Sequence, residues 1–397
     1  MSLIIQSIIV YGLMMWLMYN YGNIAYKKQY PQGIGGVDMF KKKRRLFATL
    51  LTKSYFLVPI LVYCIFAAIR YKVGVDCENY KTIFYDLGQY GYSYIAPNIE
   101  LGFKYIANLV YDTTGSHYLF LFILAFLQIV FLYYAQINTT YSLKYFGIAL
   151  MLTGTYAGLM NGIRQYIAAC VLVAIISMIL NKKNWVWFIA ASLLATLMHK
   201  SALLIILIGI LSYVLLKKGI LNIYLQFGII AICYLLMDKI DIPFLDLISL
   251  YGEQAGYDSE AIDGYTSLAA TTKNFGFSSW LILLSQLVTI RYSQSMQTLN
   301  NNKASFNIIY NLFFIGVCIS LLFYNNFTIE RLNYYFNIFY PITLSIALFV
   351  MSNSTKKIDK HMFYTTILIL STNFMYNLYK ASTTAHESLL YKFDLFR

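Results

Sequence analysis

The 397-residue chain is 59% hydrophobic and 12% charged, a composition that excludes an ordinary soluble domain and points to a polytopic membrane protein. Its 30 Lys and Arg outnumber 17 Asp and Glu, and in a soluble chain that excess would suggest nucleic acid as a partner. Here the cations flank apolar runs, so they report topology instead.

Apolar stretches able to cross about 30 Å of hydrocarbon fall at roughly 2–21, 46–69, 118–136, 145–160, 163–181, 184–198, 201–216, 219–237, 278–290, 305–325, 332–351 and 361–379. They predict an all-α membrane helix bundle of about twelve transmembrane helices, with 1–397 forming a single membrane domain. Met1–Tyr21 lacks a basic start and a small-residue cleavage site, so it is read as the first span. Alternate loops hold seventeen cations, including the run Lys41, Lys42, Lys43, Arg44 and Arg45, against Asp38 and Asp359. These loops are predicted to be cytoplasmic. The opposite loops hold the other fifteen acids and twelve cations, and both termini fall on that outer side.

Two outer loops are large. The first, 70–117, contains amphipathic stretches near Tyr80–Tyr90 and Leu101–Tyr111, whose aromatics suit helices lying flat at the interface. The second, 238–277, carries seven acids and two Lys. Its Asp258-x-Glu260-x-x-Asp263-Gly264 lacks the spacing of a calcium loop. Four of the five cysteines lie inside spans, so no disulfide framework or metal site is expected.

The outer face gathers the residues able to do chemistry: Arg70, Asp76, Tyr80, Glu100, Asn161, Arg164, Gln165, His199, Glu330, Arg331, Tyr334 and Tyr335. Asn161 precedes Arg164 by three residues, a spacing that puts both on one helical face. The planar fork of Arg suits phosphate oxygens, and His or a carboxylate beside it could take a hydroxyl proton. Each has a plainer reading too. Arg70 and Arg331 at helix ends could anchor the spans, His199 could be an interfacial histidine, and Asp76 and Glu100 could pair with Arg70 or Lys104.

Arg70…Gly74-Val75-Asp76…Tyr80…Glu100-Leu101-Gly102-Phe103 resembles the N-terminal motif of the EpsG family of Wzy-type polysaccharide polymerases. Asn161-Gly162-Ile163-Arg164-Gln165, His199-Lys200-Ser201-Ala202 and Glu330-Arg331 follow in the family's order, so the resemblance covers roughly 60–340. Cys77 stands where an aromatic is often found, and the second outer loop aligns with no motif. The resemblance implies a GT-C-like membrane glycosyltransferase in the bacterial cytoplasmic membrane, with its active site on the outer face. It implies polymerisation of polyprenyl-diphosphate-linked oligosaccharide repeat units into capsule, exopolysaccharide or O-antigen, without a cofactor or metal. A chain-length regulator and a flippase are the implied partners. His199, Asp76 and Glu100 are then the candidate catalytic groups, and Arg70, Arg164 and Arg331 the diphosphate ligands. Tyr80, Asn161, Gln165, Glu330, Tyr334 and Tyr335 are left to bind substrate. A flippase for lipid-linked oligosaccharide and an O-antigen ligase are the rival readings.

Overall fold

The computed structural model describes residues 3–31, 46–74, 76–91, 99–180, 185–237, 239, 275–300, 303–383 and 389–393. Among them the chain forms eighteen helices and no strand. The first three are α1 (Leu3–Gln29), α2 (Leu46–Thr52) and α3 (Ser54–Ala68), and the first outer loop supplies α4 (Cys77–Tyr90) and α5 (Leu101–Thr114). Next come α6 (His117–Gln136), α7 (Thr140–Leu152), α8 (Thr155–Asn161), α9 (Ile163–Leu180), α10 (Trp185–Met198), α11 (Ala202–Leu215) and α12 (Ile223–Leu235). The C-terminal part holds α13 (Phe277–Arg291), α14 (Ser293–Leu299), α15 (Lys303–Leu322), α16 (Phe327–Asn337), α17 (Phe339–Asn353) and α18 (Lys357–Thr383).

Four segments are long and apolar enough to cross a membrane by themselves: Leu3–Gln29, His117–Gln136, Lys303–Leu322 and Ile329–Asn353. Several others are shorter. The 14 residues of α10 rise about 21 Å at 1.5 Å each, short of the roughly 30 Å of hydrocarbon. Large apolar side chains such as Leu193, Leu207, Leu211 and Leu235 are exposed along α10–α12. In water such a surface would be a liability, whereas against lipid it is the ordinary solution.

Three predicted spans are interrupted. The run 145–160 breaks at Gly154, whose φ of 77° is left-handed and ends α7 before α8 begins. The run 46–69 breaks at Lys53, the extended residue between α2 and α3. The run 332–351 starts earlier, at a helix capped by the Asn326 side chain on the Ile329 N–H, and changes helix at Ile338. The seven-residue α14 was not anticipated. The acidic second loop, with Asp258, Glu260 and Asp263, lies outside the described residues.

Loops that the charge pattern puts on one side do meet. Gln29 accepts from the Thr140 N–H (3.2 Å) and the Tyr30 hydroxyl donates to the Asn138 carbonyl (3.4 Å). Asn307 donates to the Lys217 carbonyl (3.0 Å), and the Tyr292 hydroxyl donates to Asp359 (2.7 Å). At the other end of the bundle, residues 389–393 return to the start of the chain. The Tyr391 N–H donates to Ser7 (2.7 Å), its hydroxyl to the Phe66 carbonyl (2.6 Å), and Tyr71 donates to the Lys392 carbonyl (2.8 Å).

The helices of the first outer loop do not simply lie flat at an interface. Tyr80, Phe84 and Phe103 are buried, and Phe120 of α6 stacks on Phe84 (5.1 Å between centroids) and meets the edge of Phe103 (5.2 Å). Tyr90 and Tyr105 stay exposed. The aromatic stripe therefore glues α4 and α5 onto the bundle, which fixes the outer loop over the helix ends.

Arg70 is part of this framework. It is 2% exposed, and its guanidinium donates to the carbonyls of Ala67, Val73 (3.1 Å) and Met160 (3.3 Å). It thereby satisfies carbonyls at the end of α3 and ties that end to α8. Charged hydrogen bonds of this kind contribute about 1.5–3 kcal/mol each. Arg70→Ala is expected to lower the melting temperature and the yield of folded protein in detergent. An unchanged melting curve would remove Arg70 from the framework.

Candidate active site

The group centres on Glu100, the residue that precedes α5. Its neighbour Gly102 sits against the end of α10, where a Cβ would come within 2.7 Å of the Leu197 carbonyl oxygen. That missing side chain lets Glu100 reach the turn after α10. There its Oε1 accepts from His199 Nδ1 (2.7 Å) and the Lys200 N–H (3.3 Å), while Oε2 pairs with the Arg164 guanidinium. Gly102→Ala is expected to push α5 off α10, since a backbone oxygen cannot rotate away. Activity should fall together with thermal stability, and both would be read on purified protein.

Electrostatics follow from this geometry. Burial by itself would raise the Glu100 carboxyl. The His199 hydrogen bond and the Arg164 charge outweigh it and bring the group down to about 2. Glu100 is therefore an anion at any physiological pH, and it accepts hydrogen bonds rather than protons. Because the ionised oxygen must accept, His199 Nδ1 carries the hydrogen, and its Nε2 is left for other work.

Arg164 occupies the first turn of α9, with its guanidinium 5.6 Å from the Phe103 ring centroid and within reach of the Tyr80 hydroxyl. Arg164 thus has an anion on one side and a ring face on another, a pre-set orientation. Burial raises the Tyr80 hydroxyl, opposed by the Arg164 charge.

Asp76 immediately precedes α4, and its N–H donates to Asn161 Oδ1 (3.0 Å). Burial pushes its carboxyl up, against the pull of Arg331 and then Arg164. Arg331 comes from α16, where its carbonyl accepts from Gln165 (2.6 Å). One turn on, the Tyr335 hydroxyl meets Ser201 (2.6 Å), and Tyr334 stacks on Tyr166 at 5.1 Å.

Most of the twelve expected residues are thus drawn into one region built from α4, α5, α8, α9, the α10–α11 turn and α16. Arg70 is spent on carbonyls instead. Asn161 and Arg164 do not share a continuous helix, because Gly162 separates the end of α8 from α9. Each still serves the region, one through Asp76 and the other through Glu100. Neither Arg70 nor Lys104 is the partner of Glu100; Arg164 is. Glu330 lines a cavity of about 370 Å³ inside the bundle, beside Tyr166. Phe103, Ser201 and Tyr166 were absent from the expected site, although the first two lie within its motifs.

The sequence matches the EpsG family over residues 53–393, which is most of the chain. The chain belongs to the EpsG family. EpsG family proteins are Wzy-type polymerase-like, and with its membrane-crossing helices this member is a multi-pass membrane protein. No curated protein and no solved structure matches it.

Proposed function

We propose that this EpsG protein polymerises polyprenyl-diphosphate-linked oligosaccharide repeat units at the outer face of the bacterial cytoplasmic membrane. The observation that carries the reading is the Glu100–His199 hydrogen bond beside Arg164, with Arg331 close enough to act on Asp76. A sugar hydroxyl of the acceptor gives its proton to His199 Nε2 as its oxygen attacks the anomeric carbon of the donor. The bond from that carbon to the diphosphate oxygen breaks, and polyprenyl diphosphate leaves with the electron pair. Arg331 and Arg164 supply the positive charge that departure needs, so the scheme runs without a metal. Fixed donors of this kind contribute about 10²–10³ in rate each. Asp76 is the alternative base, since burial makes it more basic than an ordinary carboxylate. Tyr334 and Tyr335 are assigned to the sugar path. The product is a surface glycan such as capsule, exopolysaccharide or O-antigen, and a flippase and a chain-length regulator would work with the enzyme.

The GT-C-like architecture belongs to the same proposal. A flippase would need cations in a cavity at membrane depth to carry the diphosphate. Among the described residues, the cavity of about 370 Å³ is lined by hydroxyls, amides, aromatic rings, aliphatic side chains and Glu330, with no Lys or Arg.

A deletion strain tests the reading. Single repeats on lipid, exposed at the outer face, are the expected phenotype. Units trapped on the cytoplasmic face would make the protein a flippase, and full-length polymer retained on lipid would make it a ligase.

A further inference from the structure

The cavity of about 370 Å³ is the least explained space in the bundle. One wall is the break between α7 and α8, where Gly154 is left-handed between Thr153 and Thr155. Ser279 and Gln286 of α13, Ser320 of α15, and Glu330, Asn333 and Asn337 of α16 add polar groups, set among the aliphatic side chains of Ile282, Leu283, Ile319 and Leu321. Tyr166, Phe275 and Tyr324 add ring faces. Irregular backbone at membrane depth persists where it lines a water-filled or ligand-filled space. The lining goes further than water would require. Gln286 is 7% exposed and lines the cavity, and its amide makes no hydrogen bond among the described residues. The same holds for the half-buried Asn337. Both amides line the cavity, so their hydrogen-bonding capacity is open to water or to a guest.

The volume falls within the size of small-molecule sites, about 300–1,000 Å³. The chemistry is that of a hydroxyl-rich, uncharged guest: amides that donate and accept, hydroxyls that do both, and rings that lie against C–H faces. Such a lining, with Glu330 and no cation among the described residues, is poor for a diphosphate. The cavity also adjoins the reaction region directly. Glu330 faces it while the next residue, Arg331, acts on Asp76, and Tyr166 lines it while stacking on Tyr334.

We infer that this cavity holds a sugar residue of the repeat unit next to the reacting bond, with Gln286 and Asn337 as the groups that read its hydroxyls. The assignment rests on the polymerase reading. Donor and acceptor are built from one repeat, so one oligosaccharide probes the cavity for either.

The test is thermal unfolding of the purified full-length protein, titrated with the oligosaccharide released by mild acid from lipid-linked repeats of the deletion strain. Glycerol at equal concentration serves as the control. Wild type and Glu100→Gln are both expected to be stabilised by the sugar and not by glycerol. Gln286→Leu and Asn337→Leu replace unpartnered amides by apolar isosteres, so they should fold at least as well. Their midpoint for the sugar should move up at least tenfold. Equal midpoints in wild type and both variants would overturn the assignment, as would no shift in wild type or an equal shift with glycerol. The deletion phenotype is read separately: units trapped inside, with cavity-dependent binding intact, would sink the polymerase reading and leave the sugar site standing.

Discussion

Glu100→Gln is expected to cut chain extension by about 10²–10⁴-fold, and His199→Ala by a similar factor. The double variant should be little worse than either single one, because the two residues act as one unit. Glu100 fixes the hydrogen on Nδ1 of His199 and so presents Nε2 to the acceptor hydroxyl. A Gln amide would turn either an N–H toward Arg164 or an N–H toward His199 Nδ1, and both are mismatches. Breaking a buried ion pair commonly destabilises by about 3–5 kcal/mol. The loss here should fall at or below the lower end, since the Arg164 side chain is 25% exposed. Rates must therefore be normalised to folded protein, with polymer length scored on gels. Additive losses in the double variant would separate the two residues and put Asp76 ahead of His199 as the base.

The pH profile makes the same distinction. The Glu100 carboxyl is held at about 2, below its ordinary value of 4.5. Its stabilisation is complete above that ordinary value and disappears as pH falls through about 2. It therefore contributes no limb to activity between about pH 5 and 9. Asp76 has the opposite sign. With its folded value raised, it favours folding less as pH climbs from the unfolded value through the folded one. If His199 is the base, the acid limb of wild type persists in Asp76→Asn. Disappearance of that limb in Asp76→Asn would assign the proton transfer to the carboxylate.

Much of this site could be read in the sequence, because it rests on ordered short motifs near span ends. Asp76, Glu100, Arg164, His199 and Arg331 are each unusual where they stand: charged or titratable residues beside apolar runs. Their pairing was not legible. Local spacing offered Arg70 or Lys104 as a partner of Glu100, whereas the observed partner, Arg164, depends on α5 approaching α10 at Gly102. Arg70 looked like the other two arginines, and only the carbonyls of Ala67, Val73 and Met160 reveal its different use. Hydropathy averaged over the break at Gly154 and missed it, since Thr153 and Thr155 are tolerated in an apolar helix. Gln286 and Asn337 likewise pass as isolated polar residues. That their amides lack partners is a property of packing, and periodicity carries no trace of it.

Arg331 separates charge from shape most cleanly. Arg331→Ala is expected to lose about 10²–10³-fold in chain extension, the usual contribution of one fixed donor to a departing anion. Arg331→Lys keeps the charge but not the planar fork, and should recover a minor part of that loss. Arg164 is a poorer test than its position suggests. Removing it strands Glu100, whose side chain is 3% exposed, so Arg164→Ala should lower the amount of folded protein as well as the rate. Arg70→Ala should act on stability alone. The three arginines thus predict three different outcomes in one assay that reports both polymer and folded protein: rate for Arg331, both for Arg164, fold for Arg70. Near-normal polymer from Arg331→Ala at normal protein level would sink the diphosphate clamp, because the charge of Arg164, its other member, is largely offset by the Glu100 carboxylate.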